Sequence, residues 1–181
     1  ENGDDSVAVK PGYGKDRPAD CTRDILIERV TILRGMGANI GGMGSGCVQN
    51  VTFRDVTVID PALSGIEIKT EAGSDNASFI RDVLYERVRI LGKDAQWKAH
   101  AHTCAHIIGD YGTPGHYTGR TIPQIANVTY LDVDTAACRS AFVLNCSSIQ
   151  VCQGIMLDNV TALNFSCAHV DCTAKNTPRV S

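Results

Sequence analysis

The sequence has little net charge, no long apolar run and no cysteine pair at zinc-binding spacing. Its 17 Lys and Arg against 20 Asp and Glu give a formal net charge of -3 over 181 residues, which argues against nucleic acid as a partner. No apolar stretch approaches the roughly 20 residues that a membrane-spanning helix needs. Sustained helical periodicity is also missing. With 43% apolar residues, we expect one globular domain, residues 1–181, without membrane contact.

The eight cysteines indicate where the protein works. They form an even set without a CxxC pair, which is typical of disulfide-bonded secreted proteins. We expect four bridges. Cys146 and Cys152 bracket a short turn, and Cys167 and Cys172 lie near a chain end, so local pairing is expected at both places. Because the chain shows no charged-then-apolar leader, a secreted form would already have been processed or trimmed.

Six Asn-x-Ser/Thr sequons agree with a eukaryotic secretory route and surface glycans. Three of them read Asn-Val-Thr at the start of a β-rich repeat, where Val and Thr are good strand formers, so we expect only some to carry sugar. The six are Asn50, Asn76, Asn127, Asn145, Asn159 and Asn164.

An eight-residue pattern occurs five times along the chain. Its positions one, three, six and eight are mainly apolar, and its positions four and five are mostly polar or charged. This describes a strand, a polar corner and a second strand. The copies begin 26, 32, 45 and 27 residues apart. They are residues 25–32 (ILIERVTI), 51–58 (VTFRDVTV), 83–90 (VLYERVRI), 128–135 (VTYLDVDT) and 155–162 (IMLDNVTA).

A third short alternating run follows the first, second and fourth copies, at residues 38–41, 65–69 and 141–144. Three short strands per repeat, at a shortest spacing of 26 residues, describe a parallel β-helix in which each coil adds one strand to each sheet. A β-sandwich would need hairpin turns every 8 to 12 residues or so, and the repeats contain no Asn-Gly or Asp-Gly signal. We therefore predict an all-β solenoid of five to six coils.

The coil register places polar residues from distant segments on one sheet. Asp4 and Asp5 precede an alternating run, and two adjacent carboxylates repel and split their pKa values, which is useful in acid/base chemistry. In residues 65–69 (GIEIK) the two isoleucines point inward, so Glu67 and Lys69 point outward. With coils roughly 4.8 Å apart, the Asp pair, the glycine turn at residues 35–37 and Lys69 form one patch. The simpler interpretation of Asp4 and Asp5 is a solvated turn.

These segments, in this order, resemble the C-terminal half of glycoside hydrolase family 28, the polygalacturonase-type pectinases. Gly3-Asp4-Asp5 matches that family's Gly-Asp-Asp. Residues 35–42 (GMGANIGG) look like Gly-His-Gly followed by Ile-Ser-Ile-Gly-Ser, with Met36 in place of the histidine, and residues 65–70 (GIEIKT) look like Arg-Ile-Lys, with Glu67 in place of the arginine. Residues 107–111 (IIGDY) are similar to the segment that carries a tyrosine, and residues 146–155 (CSSIQVCQGI) to a late disulfide turn.

The resemblance implies a right-handed parallel β-helix of the pectin lyase type and inverting hydrolysis of α-linked galacturonic acid chains. Asp4 would be the general acid. Asp5 would activate water together with the aspartate of the family's Asn-Thr-Asp segment, which precedes the part of the family that this chain resembles. In inverting enzymes the acid and base carboxyl groups are roughly 6.5 to 9.5 Å apart. Lys69 would hold a substrate carboxylate, and Tyr111 would contact the sugar ring.

The two replaced residues weaken the resemblance at the substrate-binding positions. Met36 cannot donate or accept hydrogen bonds as histidine does, and Glu67 reverses the charge of an arginine that would grip a uronate. Weakened or lost activity, or a neutral sugar, fits these changes. The main alternative is a non-catalytic extracellular protein that binds glycans or assembles with other chains. A third is a calcium-dependent pectate lyase, with Asp4, Asp5 and Glu67 as oxygen ligands.

Two other features carry less weight. The segment 98–106 contains His100, His102 and His106, with His116 nearby, and His-x-His spacing suits a metal; a solvated loop is the simpler interpretation, so we expect no metal or other cofactor. Trp97 would either stack on a sugar or anchor this insertion. Finally, a β-helix cut at its first coil exposes strand edges, so a protein contact covering the N-terminal end is expected.

Overall fold

The computed structural model describes residues 3–11, 21–73, 77–92, 103–112, 121–138, 140–162 and 164–176. These residues form twelve strands and no helix. The strands are β1 (Val7–Val9), β2 (Thr22–Leu33), β3 (Ala38–Met43), β4 (Cys47–Ile59), β5 (Ile66–Thr70), β6 (Phe79–Leu91), β7 (Thr103–Ile108), β8 (Gln124–Leu131), β9 (Ser140–Asn145), β10 (Cys152–Asp158), β11 (Phe165–Ala168) and β12 (Val170–Lys175).

The strands build two parallel six-stranded sheets. The odd-numbered strands form one sheet in the order β1-β3-β5-β7-β9-β11, and the even-numbered strands form the other in the order β12-β10-β8-β6-β4-β2. Because the chain visits the two sheets alternately, each coil adds one strand to each sheet. This is a parallel β-helix, as the repeat predicted, and its six strands per sheet agree with the predicted five to six coils.

The five repeats stack in register on the even-numbered sheet. Their first positions align as Ile25, Val51, Val83, Val128 and Ile155 on adjacent strands. The fifth position of every copy adopts a left-handed backbone conformation, with φ between 51° and 55°, so the predicted polar corner is a bend. We predicted three short strands per coil, but β2, β4 and β6 run through this bend as single strands of 12 or 13 residues. Pairing with the neighbouring coil continues on both sides of the bend.

A second left-handed corner lies at the residue before each of the five repeats, which is asparagine in two of them, aspartate in two and glycine in one. Asn is one of the few residues other than glycine that tolerate this conformation. The Nδ2 atoms of Asn50 and Asn127 donate to the Oδ1 atoms of Asp24 and Asp82 on the preceding coil, at 2.6 and 3.1 Å. At the fifth-position corner, Asn159 donates to Asp132 at 2.6 Å. The three Asn-Val-Thr sequons therefore coincide with corners whose amides are already hydrogen-bonded.

Glycosylation of the sequons stays a prediction, and the corners predict that its occupancy differs from site to site. We expect lower glycan occupancy at Asn50, Asn127 and Asn159 than at Asn145, which is exposed at the end of β9. A sugar on Nδ2 at a corner would replace one of its two N–H groups and crowd the aspartate of the preceding coil. Glycopeptide mass spectrometry of protein secreted by a eukaryotic host measures the occupancy, and equal values at all four sites would contradict the expectation. Asn76 lies outside the described residues, and Asn164 is exposed.

Inward side chains of both sheets form one core along the solenoid axis. Its largest members are aromatic: Phe53, Tyr85 and Tyr130 align on β4, β6 and β8 and stack with ring centroids 4.8 and 5.3 Å apart. Phe142 meets Tyr130 edge to face at 5.2 Å. Stacking of like residues on successive coils follows from the register, because equivalent inward positions are neighbours.

Three disulfides form: Cys21–Cys47 and Cys104–Cys138 join neighbouring coils, and Cys146–Cys152 closes the turn between β9 and β10. The last is the predicted bridge around the short turn. The bridge predicted between Cys167 and Cys172 is not formed in the structure, where both are free thiols. Burial, followed by a hydrogen bond with Cys167, raises the pKa of Cys172 to about 12.

Candidate active site

The polar patch predicted from the coil register lies on the odd-numbered sheet. Parallel pairing of β1, β3, β5 and β7 brings residues from four successive coils, spread over more than 100 positions of the sequence, to one face. We call the resulting cluster the acidic groove. It comprises Asp4 and Asp5 before β1, Met36 before β3, Asn39 on β3, Glu67 and Lys69 on β5, His106 on β7 and Tyr111 after β7.

A glycine turn fixes the start of the groove. Gly37 has φ +76°, and a Cβ there would lie 1.8 Å from the carbonyl oxygen of Gly65, so any side chain would clash with backbone. The Gly37 carbonyl accepts hydrogen bonds from the amides of Ser6 and Val7, both at 3.1 Å. The amide of Met36 donates to the Asp4 carbonyl at 2.9 Å. The turn therefore holds the backbone of the Asp pair in place.

The two adjacent aspartates lie in different surroundings. Asp4 is exposed and accepts a hydrogen bond from the Asp5 amide at its Oδ1, at 2.7 Å. The Asp5 side chain is only 11% exposed and faces Lys69, whose Nζ lies 3.7 Å from Oδ1. The two carboxyl groups therefore have different partners, a backbone amide for Asp4 and a lysine ammonium for Asp5.

Asn39 is a groove residue to which sequence reasoning gave no role. It is fully buried, and its Nδ2 donates both to Asp5 Oδ1 and, at 2.8 Å, to the Met36 carbonyl. Its Oδ1 has no hydrogen-bond partner among the described residues. The signal that could have found it is its register, because Asn39 pairs with Glu67 on the outward-facing side of the sheet.

Lys69 joins two carboxylates. Its Nζ lies 3.2 Å from Glu67 Oε2 as well as 3.7 Å from Asp5 Oδ1. Burial alone would lower the pKa of Lys69, but the charges of Glu67 and Asp5 and a hydrogen bond with Glu67 raise it above its usual value. Lys69 is therefore a protonated bridge. Glu67 and Lys69 point outward as predicted, but they are buried beneath the groove surface rather than freely exposed.

His106 extends the cluster by one coil. It pairs with Glu67 in the sheet, and its Nδ1 lies 3.7 Å from Glu67 Oε1. Burial, with a smaller effect of the Lys69 charge, lowers the pKa of His106, although Glu67 acts in the opposite direction. Sequence reasoning considered His106 only as a metal ligand. Within the described ranges no group of three or more His, Cys, Asp or Glu is placed to hold a metal; His100, His102, His116 and Trp97 lie outside them.

Tyr111 borders the groove as a half-exposed platform. The residue is 47% exposed, and Lys69 Nζ lies 5.3 Å from the centroid of its ring. Its amide donates to the Thr70 carbonyl at 2.7 Å, which anchors the segment after β7 to the end of β5. An aromatic face held in this way suits the apolar face of a sugar ring.

Comparison with known protein families shows to which family the chain is related. The sequence profile described as "Glycosyl hydrolases family 28" matches residues 1–180. The chain belongs to this family. The resemblance inferred from the acid pair and glycine turn is thereby confirmed.

Family 28 relatives include plant polygalacturonases. The chain is 28% identical to polygalacturonase-2 of Solanum lycopersicum over 188 residues, which cover 96% of this chain and 35% of the relative. It is 28% identical to a Chamaecyparis obtusa polygalacturonase, with 96% and 31% coverage, and 26% identical to one from Malus domestica, with 90% and 33% coverage. The chain thus spans about a third of the length of these relatives. No solved structure matches it significantly.

The two departures from the family 28 pattern have different structural consequences. Met36 keeps the backbone role of its turn, since its amide and carbonyl bind Asp4 and Asn39. Glu67 changes the chemistry, because it places a buried carboxylate against Lys69. The roles of Asp4, Asp5, Met36, Glu67, Lys69 and Tyr111 stay predictions.

The outer surface adds two findings. No helix in the part of the chain that the structure describes could cross a bilayer. At the N-terminal edge of the even-numbered sheet, β2 exposes Leu26 and Leu33, at 54% and 46%. A protein contact over this edge stays a prediction.

Proposed function

We propose that the protein acts outside the cell as a glycoside hydrolase on a pectic polysaccharide, with inversion at the anomeric carbon. The observation that carries this proposal is the unequal environment of the two neighbouring aspartates: Asp4 is exposed, whereas Asp5 is held by Asn39 and Lys69. Membership of family 28 and the three disulfides support it.

In this mechanism Asp4 protonates the leaving glycosidic oxygen. Its exposure allows it to reach a bound chain and to be reprotonated by solvent. Asp5 accepts a proton from the attacking water, and the hydrogen bond from Asn39 and the ammonium of Lys69 fix the carboxylate in place. Inverting enzymes need a second carboxyl group about 6.5 to 9.5 Å from the acid, with room for water between them. Tyr111 would support the sugar ring from the edge of the groove.

The groove fits a calcium-dependent lyase less well. Calcium binds clusters of carboxylate oxygens, and Asp5 and Glu67 are the obvious donors. The ammonium of Lys69 already lies between them, at 3.7 and 3.2 Å. A calcium ion would have to compete with a covalently tethered cation for the same two carboxylates.

A non-catalytic glycan-binding protein is the second candidate, and the replacement of two family motif residues by Met36 and Glu67 favours it.

Product analysis separates the candidates. The protein is incubated with polygalacturonate, rhamnogalacturonan and neutral pectic glycans, and new reducing ends and unsaturated ends are both measured. We expect reducing ends without unsaturation on at least one substrate. Unsaturated ends that vanish with chelator would indicate a lyase, and absence of any product would leave only the binding role.

A further inference from the structure

Glu67 is a buried carboxylate with three side-chain partners. Its side chain is 4% exposed, so water cannot solvate it. Ser64 Oγ lies 3.3 Å and Lys69 Nζ 3.2 Å from Oε2, and His106 Nδ1 lies 3.7 Å from Oε1. An unpaired buried carboxylate would be strongly destabilising. The pair with Lys69 is therefore built into the fold and is present before any substrate arrives.

This pairing changes what Lys69 can do for a ligand. A lysine binds a uronate well when its positive charge is not already neutralised by the protein. Lys69 already faces two carboxylates, Glu67 and Asp5, at 3.2 and 3.7 Å. With His106 neutral, these four side chains carry one net negative charge. A third carboxylate placed beside Lys69 would meet more repulsion than attraction.

A neutral sugar unit meets no such penalty. Its hydroxyl groups can donate to carboxylate oxygens and accept from the ammonium of Lys69 or from His106. Asn39, whose buried Oδ1 lacks a donor among the described residues, lies beside Glu67 on the preceding coil. The half-exposed ring of Tyr111 offers an apolar face.

We propose that the position beside Lys69 accepts a neutral sugar unit in preference to a uronate, and that Glu67 sets this preference by neutralising Lys69. The inference rests on the proposed glycan-binding groove and names the class of sugar at that site. Glu67 acts through Lys69 and is a positioning residue. It need not touch the sugar.

Binding measurements test this without depending on turnover. Calorimetric titration compares tri-galacturonic acid with the same trisaccharide after carboxyl reduction, for the wild-type protein and for Glu67→Gln. The wild-type protein is expected to bind the reduced, neutral trisaccharide at least tenfold more tightly. Glu67→Gln keeps the shape and releases Lys69, so the ratio of the two affinities should move at least tenfold towards the uronate. Glu28→Gln, on β2 of the other sheet, is the matched control and should leave the ratio unchanged.

The outcomes separate the inference from the proposed function. If the wild-type protein binds the uronate as tightly as the neutral trisaccharide, the inference fails while glycan binding stands. If it binds neither trisaccharide and cleaves no pectic glycan, both fail. An unchanged ratio in Glu67→Gln also overturns the inference.

Should Glu67→Gln not fold, the pH dependence of the wild-type protein provides the second measurement. The pKa of His106 is lowered by burial, so its protonation lies below the ordinary histidine value of about 6.5. Protonation adds a positive charge beside Glu67, Lys69 and Asp5, so uronate binding should strengthen relative to neutral binding as pH falls from about 6.5 to 4.5. A ratio that stays constant over this range would contradict the proposal. His106→Gln supplies the control, because it removes the titration and should make the ratio independent of pH.

Discussion

Replacing Asp5 by asparagine is expected to lower kcat for glycan hydrolysis by about a hundredfold or more, the range in which a positioned acid or base contributes. The amide keeps the shape of the carboxylate and can still accept from Asn39, but it cannot take a proton from water. It also removes one of the two carboxylates that face Lys69. Initial rates of reducing-end release at saturating substrate measure the effect.

Asp171→Asn is the control for this prediction. Asp171 is exposed on β12, in the last coil, so its variant should retain wild-type rates. Thermal unfolding of both variants shows whether the fold is intact. Activity of Asp5→Asn within about threefold of wild type would remove Asp5 from the mechanism.

The sequence predicted the architecture because the repeat constrains it twice. Alternating apolar residues fix which side chains point inward, and the 26-residue shortest spacing is too long for hairpins and long enough for a coil. Once Ile66 and Ile68 point inward, Glu67 and Lys69 must point outward, and stacking brings them towards the Asp pair. The proximity of Lys69 to Asp5 follows from that register alone.

The composition of the groove could not be predicted in the same way. Alternation assigns Asn39 and His106 to the outer face, but only the pairing of β3, β5 and β7 shows that they flank Glu67 on neighbouring coils. Outward direction also does not reveal burial: Asn39 and Glu67 point away from the core and are nevertheless covered. The sequence predicts the polar corner inside each repeat but not the left-handed corner before each repeat, because Asn-Val-Thr at Asn50 is interpreted as a glycosylation sequon.

The aromatic stack gives the largest expected effect on stability. Tyr85 is fully buried between Phe53 and Tyr130, with ring centroids at 4.8 and 5.3 Å. Tyr85→Ala should lower the free energy of unfolding by about 3 to 5 kcal/mol, the usual cost of removing a buried aromatic ring, as measured by denaturant unfolding.

Two further tyrosine variants show whether that loss comes from the ring itself. The Tyr85 hydroxyl is buried without a hydrogen-bond partner among the described residues, so Tyr85→Phe should be neutral or stabilising because it removes an unsatisfied polar group. Tyr111→Ala, at the exposed edge of the groove, should change stability by less than about 0.5 kcal/mol while weakening glycan binding. A loss of less than about 1 kcal/mol for Tyr85→Ala would mean that the coils are not held together by their inward stacks.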